Sequence, residues 1–250
     1  MTDSTRRLTI LCHGPAGAGK SWLFYSAPGP RLHLDAEGRA EHCPGHKVWW
    51  NPAEPPPDVE ANAITTDTTV VVDVQSMRDL TNAKLWIDSG QHYFKAVGLD
   101  SITDGQDRLV EDVRGTGQAD LQDWGVIYDR MNDYILAMKD WRRHATNPID
   151  VIYVGAGTEN KDGVLQPYVR GQLGKKLPYR FDIVGYLSRQ IEPSSQARYR
   201  DMVIDAAGTP YVAKSNIHEV SEHWPSGRIT NPSLTDILSV INSSQEAATV

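Results

Sequence analysis

Leu8-Thr9-Ile10-Leu11-Cys12-His13-Gly14-Pro15-Ala16-Gly17-Ala18-Gly19-Lys20-Ser21 is the stretch on which the reading of this chain turns. Its first six residues form a short apolar run of the kind that makes a buried parallel strand. Its last eight satisfy the spacing G-x-x-x-x-G-K-[ST] at every fixed position. The glycines let backbone N–H groups turn inward, and a helix opening at Lys20 presents its positive end to the same point. Gly14, Pro15, Ala16, Gly17, Ala18, Gly19, Lys20 and Ser21 are therefore the expected contacts of a nucleoside triphosphate. Lys20 would reach the β- and γ-phosphates, and the Ser21 hydroxyl would ligate Mg²⁺. A purely structural glycine turn is the alternative, and the flanking strand and helix speak against it.

A triphosphate loop needs an acid on a neighbouring strand to hold the metal through water. Asp100 closes the apolar run Ala96-Val97-Gly98-Leu99-Asp100 and meets that need; its other reading is a helix N-cap. Glu37, in Leu34-Asp35-Ala36-Glu37-Gly38, lies just past a second strand at 31–35. In a doubly wound sheet ligands sit outside the C-terminal strand ends, so Glu37 can face the γ-phosphate and activate water. A surface glutamate in a turn is the competing reading.

Further out, 69–74 reads as a strand, 75–89 as a helix and 151–155 as another buried strand. Trp124, Ile127, Met131, Ile135, Met138 and Trp141 recur at helical spacing and predict a helix over 121–144. Segments 181–187, 198–204 and 210–213 read as short strands forming an antiparallel extension, with a helix at 234–241 and a frayed tail at 243–250. The proline-rich segment 44–67 predicts an exposed excursion, pinned to the core by Trp49 and Trp50, whose other reading is stacking on bases or nucleotide. The expected fold is thus α/β: a mainly parallel sheet flanked by helices, in one domain over 1–242.

Composition narrows the function. At 250 residues with 40% hydrophobic content the chain can bury a full core, and no apolar run is long enough to span a bilayer. Residues 1–7 are polar and lead directly into a strand, so no secretory signal is read. Two cysteines are too few for a disulfide framework and point to a reducing cytoplasm. His42-Cys43-Pro44-Gly45-His46 reads as a surface turn, since one short loop with no second cluster makes a poor metal site. A net charge of −7 excludes bulk attraction to polyanions, so any nucleic acid must be met by local basic loops repeated around an oligomer.

Leu34-Asp35-Ala36-Glu37 after a phosphate-loop unit, with Leu99-Asp100-Ser101 as the second acid motif, resembles the RecA-type recombinase core. Asp123-Trp124-Gly125, Pro167-Tyr168-Val169-Arg170-Gly171 and the stretch 177–187 are similar to the phage-encoded, core-only RecA-like ATPases of single-strand annealing and recombination. So are Tyr211-Val212-Ala213-Lys214 and Asn231-Pro232, giving a likeness over roughly residues 8–240. The resemblance implies a RecA-like fold and Mg²⁺-dependent ATP hydrolysis with Glu37 activating water. It further implies assembly into a ring or filament on single-stranded DNA in the host cytoplasm, with a single-strand-binding protein as a further partner. By it, DNA faces the loops at 114–118 and 158–176, which carry Arg114, Lys161, Arg170, Lys175 and Lys176. Lys175, Lys176 and Arg180 have a second implied role, completing a neighbouring subunit's ATP site. The chain departs from the recombinase pattern after Gly155, where it reads Ala156-Gly157-Thr158-Glu159 instead of the usual glutamine sensor, with Thr158 or Glu159 as candidates for that role. It also leaves no room before Leu8 for an N-terminal oligomerisation domain. A small-molecule kinase and a nucleotide-gated interaction module are the two rival classes.

Overall fold

The computed structural model describes residues 6–115 and 117–248, with side chains described as far as Ser243. Thr116, within the loop read at 114–118, and residues 249–250 of the tail lie outside the described residues.

The strands in chain order are β1 (Thr9–Gly14), β2 (Arg31–Asp35), β3 (Lys47–Trp49), β4 (Thr69–Asp73), β5 (Ala96–Asp100), β6 (Asp150–Glu159), β7 (Leu165–Pro167), β8 (Ile183–Ile191), β9 (Arg198–Val203), β10 (Lys214–Ser215) and β11 (Arg228–Thr230). The helices are α1 (Lys20–Tyr25), α2 (Met77–Asp88), α3 (Ile102–Arg114), α4 (Leu121–Asp140), α5 (Leu173–Lys176), α6 (His218–His223) and α7 (Leu234–Ala248). The main sheet runs β11-β9-β8-β1-β6-β5-β2-β4-β3. From β8 to β3 every pairing is parallel; β9, β10 and β11 are added antiparallel.

Alternation along each strand divides the core into two layers. Leu11, Leu32, Leu34, Val97, Leu99, Val151 and Tyr153 pack beneath α2, α3 and α4. Ile10, Cys12, Ala96, Ile152, Val154 and Ile183 pack beneath α1, α6 and α7. The strands are apolar on both faces because both are covered. No helix among the described residues is long and apolar enough to cross a membrane.

Several expectations change. β8 pairs parallel with β1, so the antiparallel extension begins one strand later, at β9. Residues 210–213 form no strand; only an isolated bridge joins Tyr211 to Leu165, and the short strand comes later, at Lys214–Ser215. The loop expected at 158–176 begins as a hairpin, in which β6 continues to Glu159 and folds back as β7, and ends in α5. The excursion at 44–67 contributes β3, the edge strand of the sheet. Trp50 pins it by packing near Phe94 at 6.2 Å between ring centroids, whereas Trp49 is 56% exposed. α7 extends past 241 to Ala248, into the segment expected to fray. α3 stands where the sequence offers a helix only through the alternative reading of Asp100 as a cap.

Candidate nucleotide site

β1 delivers the phosphate loop to the C-terminal edge of the sheet, and the room there is measured in tenths of an ångström. Gly14 has φ 153°, and a Cβ on it would stand 2.1 Å from the Leu187 carbonyl oxygen of β8. No side chain fits such a gap, so β8 fixes where the loop begins. Gly17 and Gly19 have φ 73° and 94°, left-handed values that glycine adopts without strain. The Lys20 ammonium donates to the carbonyls of Gly14 and Pro15 at 3.1 and 2.9 Å, folding back across the loop.

α1 lies on the sheet face that carries His33, Asp35 and Asp100. Gly98 permits this, because a Cβ there would stand 2.6 Å from the Phe24 ring of α1. The absent side chain lets α1 settle close to β5, which brings Ser21 beside Asp100. In-register pairing of β2 with β5 sets Asp35 opposite Asp100.

Asp100 is 2% exposed, and its Oδ1 has no hydrogen-bond partner. Burial pushes its carboxyl up to about 7; the Ser21 hydroxyl opposes this, while the charges of Glu37 and Asp35 add to it. The competing reading of Asp100 as a helix cap falls away, since Ser101 caps α3 by accepting from the Asp104 N–H. His33 stands 3.8 Å from Asp100 Oδ2, and burial pushes it down to about 4, leaving the imidazole neutral.

Asp35 is engaged within its own turn. Its two oxygens accept the N–H groups of Gly38 and Ala40, both at 2.8 Å, and shape the turn that carries Glu37. The Ala36 and Glu37 N–H groups donate to the Asp100 carbonyl at 2.7 and 3.1 Å, tying this turn to the end of β5. The Glu37 carboxylate pairs with Arg39 at 3.2 Å. A cleft of about 320 Å³ opens between Glu37 and the loop, lined by Ala16, Gly17, Gly19, Lys20, Ser21 and Arg39, with His42 and Cys43 beside it.

The residues present fit a magnesium–triphosphate group. A buried, unpartnered carboxylate oxygen adjoins a serine hydroxyl at the start of a helix, and glycine-freed N–H groups and a lysine face the same cleft. Lys20, Ser21, Glu37 and Asp100 are thus brought together. The basic residues expected elsewhere are not. Arg114 ends α3, and Lys161 lies in the turn of the β6–β7 hairpin, where Thr158 and Glu159 pair with Gln166 and Leu165. Arg170 pairs with Asp107 at 3.0 Å, Lys176 donates to the Tyr128 hydroxyl at 3.0 Å, and Arg180 donates to Asn132. Lys175 sits beside Lys176 in α5, so this group lines the α3–α4 side of the molecule.

Sequence reasoning missed a set of arginines that stand much nearer the loop. Arg189 and Arg200 are register partners on β8 and β9, and Arg189 also lines the nucleotide cleft. The Arg200 guanidinium lies over the Trp22 ring at 5.4 Å, and a Cβ on Gly19 would meet its Nε at 2.8 Å. Arg198 and Tyr199 continue the same shallow hollow. Among the described residues Arg189, Arg198 and Arg200 form no ion pair. Burial, and then the charge of Arg189, lower the Arg200 guanidinium below its ordinary value.

A comparison with protein families matches residues 6–216 to a family model described as AAA domain. No curated protein matches the chain. The match spans most of the 250 residues and contains the loop, both acids and the arginine pair. The chain belongs to the AAA domain family, a family of nucleotide-binding P-loop NTPases.

Proposed function

We propose that this protein is a RecA-like, Mg²⁺-dependent ATPase that couples hydrolysis to single-stranded DNA in phage recombination, annealing or replication. The observation that carries the catalytic half is that Lys20, Ser21 and Glu37 line one cleft, with the buried Asp100 carboxylate next to Ser21. Magnesium, when bound, would supply positive charge against the phosphates. Ser21 and Asp100 would hold it. Lys20 exchanges its two loop carbonyls for phosphate oxygens, and backbone N–H groups of 15–21 orient the triphosphate. Glu37, released from Arg39, accepts a proton from the attacking water. Arg189 and Arg200 add cationic charge at the rim, where negative charge must be stabilised.

The DNA half is supported by loops at the C-terminal strand ends, the glycine-bearing segment near Arg114 and the hairpin bearing Lys161. With a net charge of −7, a single subunit attracts DNA weakly, so binding is expected to require ATP and self-assembly into a ring or filament. A single-strand-binding protein is a further expected partner. The test is ATP turnover with and without single-stranded oligonucleotides, alongside a salt titration of fluorescent oligonucleotide binding. Stimulated turnover and steeply salt-dependent, ATP-dependent binding support the proposal. A Lys20→Ala protein that is folded yet hydrolyses normally sinks the catalytic half. Absence of DNA binding in every nucleotide state sinks the other half. Phosphate transfer to an added nucleotide would instead identify a kinase.

A further inference from the structure

His33 is a fully buried imidazole in the middle of β2, where an apolar residue would pack without cost. The Tyr25 hydroxyl lies 2.9 Å from its Nδ1, and the rings of Tyr25 and Phe24 wall it in at 5.4 and 5.3 Å between centroids. Its Nε2 is buried with no hydrogen-bond partner. Such a vacancy is costly and calls for a reason. Two carboxylates stand near. Asp35 has both oxygens occupied by the Gly38 and Ala40 N–H groups, so it has no need of a further donor. Asp100 does: its Oδ2 is 3.8 Å from Nε2, and its Oδ1 is unpartnered.

We propose that His33 is a positioning residue for the metal-holding carboxylate: it grips Asp100 Oδ2 and thereby aims Oδ1 at the water shell of magnesium. This rests on the nucleotide-site reading given above. An ionised Asp100 selects the tautomer with the proton on Nε2, and the Tyr25 O–H then donates to Nδ1. The resulting chain, from Tyr25 through His33 to Asp100, runs from the end of α1 back to the end of β5. A distance of 3.8 Å is too long for a hydrogen bond and closes with a small rotation of the carboxylate. Partners of this kind orient carboxylates that serve metals and tune their affinity.

The experiment titrates Mg²⁺ against binding of a fluorescent, non-hydrolysable ATP analogue, so that turnover does not enter. The parent should show a Mg²⁺-dependent rise in affinity over an EDTA baseline. His33→Leu should raise the Mg²⁺ concentration at half-saturation by about tenfold and leave the EDTA baseline unchanged. His33→Gln, whose amide N–H₂ reaches the place of Nε2, should recover most of the loss. Tyr25→Phe should shift the midpoint in the same direction by less. An unchanged midpoint in folded His33→Leu overturns the proposal, as does an equal loss of affinity in EDTA, which would mark general damage to packing. Should His33→Leu not fold, an unchanged midpoint in Tyr25→Phe overturns it. A parent with no Mg²⁺-dependent nucleotide binding overturns the site reading itself, which is a separate result.

Discussion

Replacing Asp100 by asparagine should make the nucleotide-free protein more stable while removing its response to Mg²⁺ and ATP. The carboxyl is 2% exposed, and burial moves it from an ordinary 3.8 to about 7. The native state therefore keeps a proton between pH 4 and 7 that the unfolded chain has lost, and stability falls as pH rises through that window. Above pH 7 the cost is complete. At 1.36 kcal/mol per pH unit it amounts to about 4 kcal/mol at most. A buried amide has unpaired groups of its own, which returns roughly 1 kcal/mol and leaves a gain of about 2–3 kcal/mol at pH 8. For a chain of this size that is roughly 4–12 °C in melting temperature. The assay is thermal unfolding in EDTA at pH 8 and at pH 4.5, with and without saturating Mg²⁺–ATP. Asp100→Asn should melt higher at pH 8, and the difference should shrink at pH 4.5. With Mg²⁺–ATP at a hundred times its dissociation constant the parent should gain about 2.7 kcal/mol, and the variant should gain nothing from the metal. An Asp100→Asn protein that melts at or below the parent at pH 8 refutes the argument that this acid is held at a cost for function.

Glu37→Gln should keep nucleotide affinity and slow hydrolysis by about 10²–10⁴, measured in single-turnover assays; an undiminished rate would remove Glu37 from the chemistry. Gly98→Ala sets a Cβ 2.6 Å from the Phe24 ring. It should cost about 1–3 kcal/mol by calorimetry and weaken Mg²⁺–ATP binding as α1 shifts, so intact stability and affinity together would count against the packing argument. Burial alone would raise the Asp182 carboxyl, but the Thr9 N–H and O–H and the Arg142 guanidinium hold it below its ordinary value. Its contribution is thus present above pH 4 and lost as pH falls through its lower folded value. Asp182→Asn should cost roughly 1–3 kcal/mol at pH 7 and progressively less below pH 4, as read by urea unfolding.

Local chemistry made the loop and the strands around it legible. Gly14 to Ser21 announced themselves by spacing, and the strands at 31–35 and 96–100 by uninterrupted apolar runs that parallel, doubly covered strands require. Hidden from sequence were features that depend on which strand lies beside which. β8 was read as antiparallel because a short strand followed by a turn and another strand looks like a hairpin. Only its partner β1 reveals that its first half completes the parallel body. α3 escaped because Thr103, Asp104, Asp107 and Arg108 mask the apolar stripe of Ile102, Leu109 and Val110. Arg189 went unremarked since an isolated arginine on a strand carries no local signal. Arg198-Tyr199-Arg200 does carry one: 198–204 reads as a strand, and strand alternation puts both arginines on one face. The basic residues at 170–180 were legible as charges, but ion pairs and hydrogen bonds to α3 and α4 engage several of them away from the nucleotide.

The double acceptance by the Asp100 carbonyl of the Ala36 and Glu37 N–H groups has a consequence best put as an alignment tolerance. Two parts located from one datum keep their spacing when the datum moves. Drift of the β5 end carries both acids with it, so their mutual registration survives small errors in the sheet. The phosphate loop is located from a different datum, the Leu187 carbonyl under Gly14. Errors between these two references add, and they add along the line from Ser21 to Asp100. Substitutions that slide β1 and β8 against β2 and β5 should therefore misalign the site even when each acid keeps every contact it has.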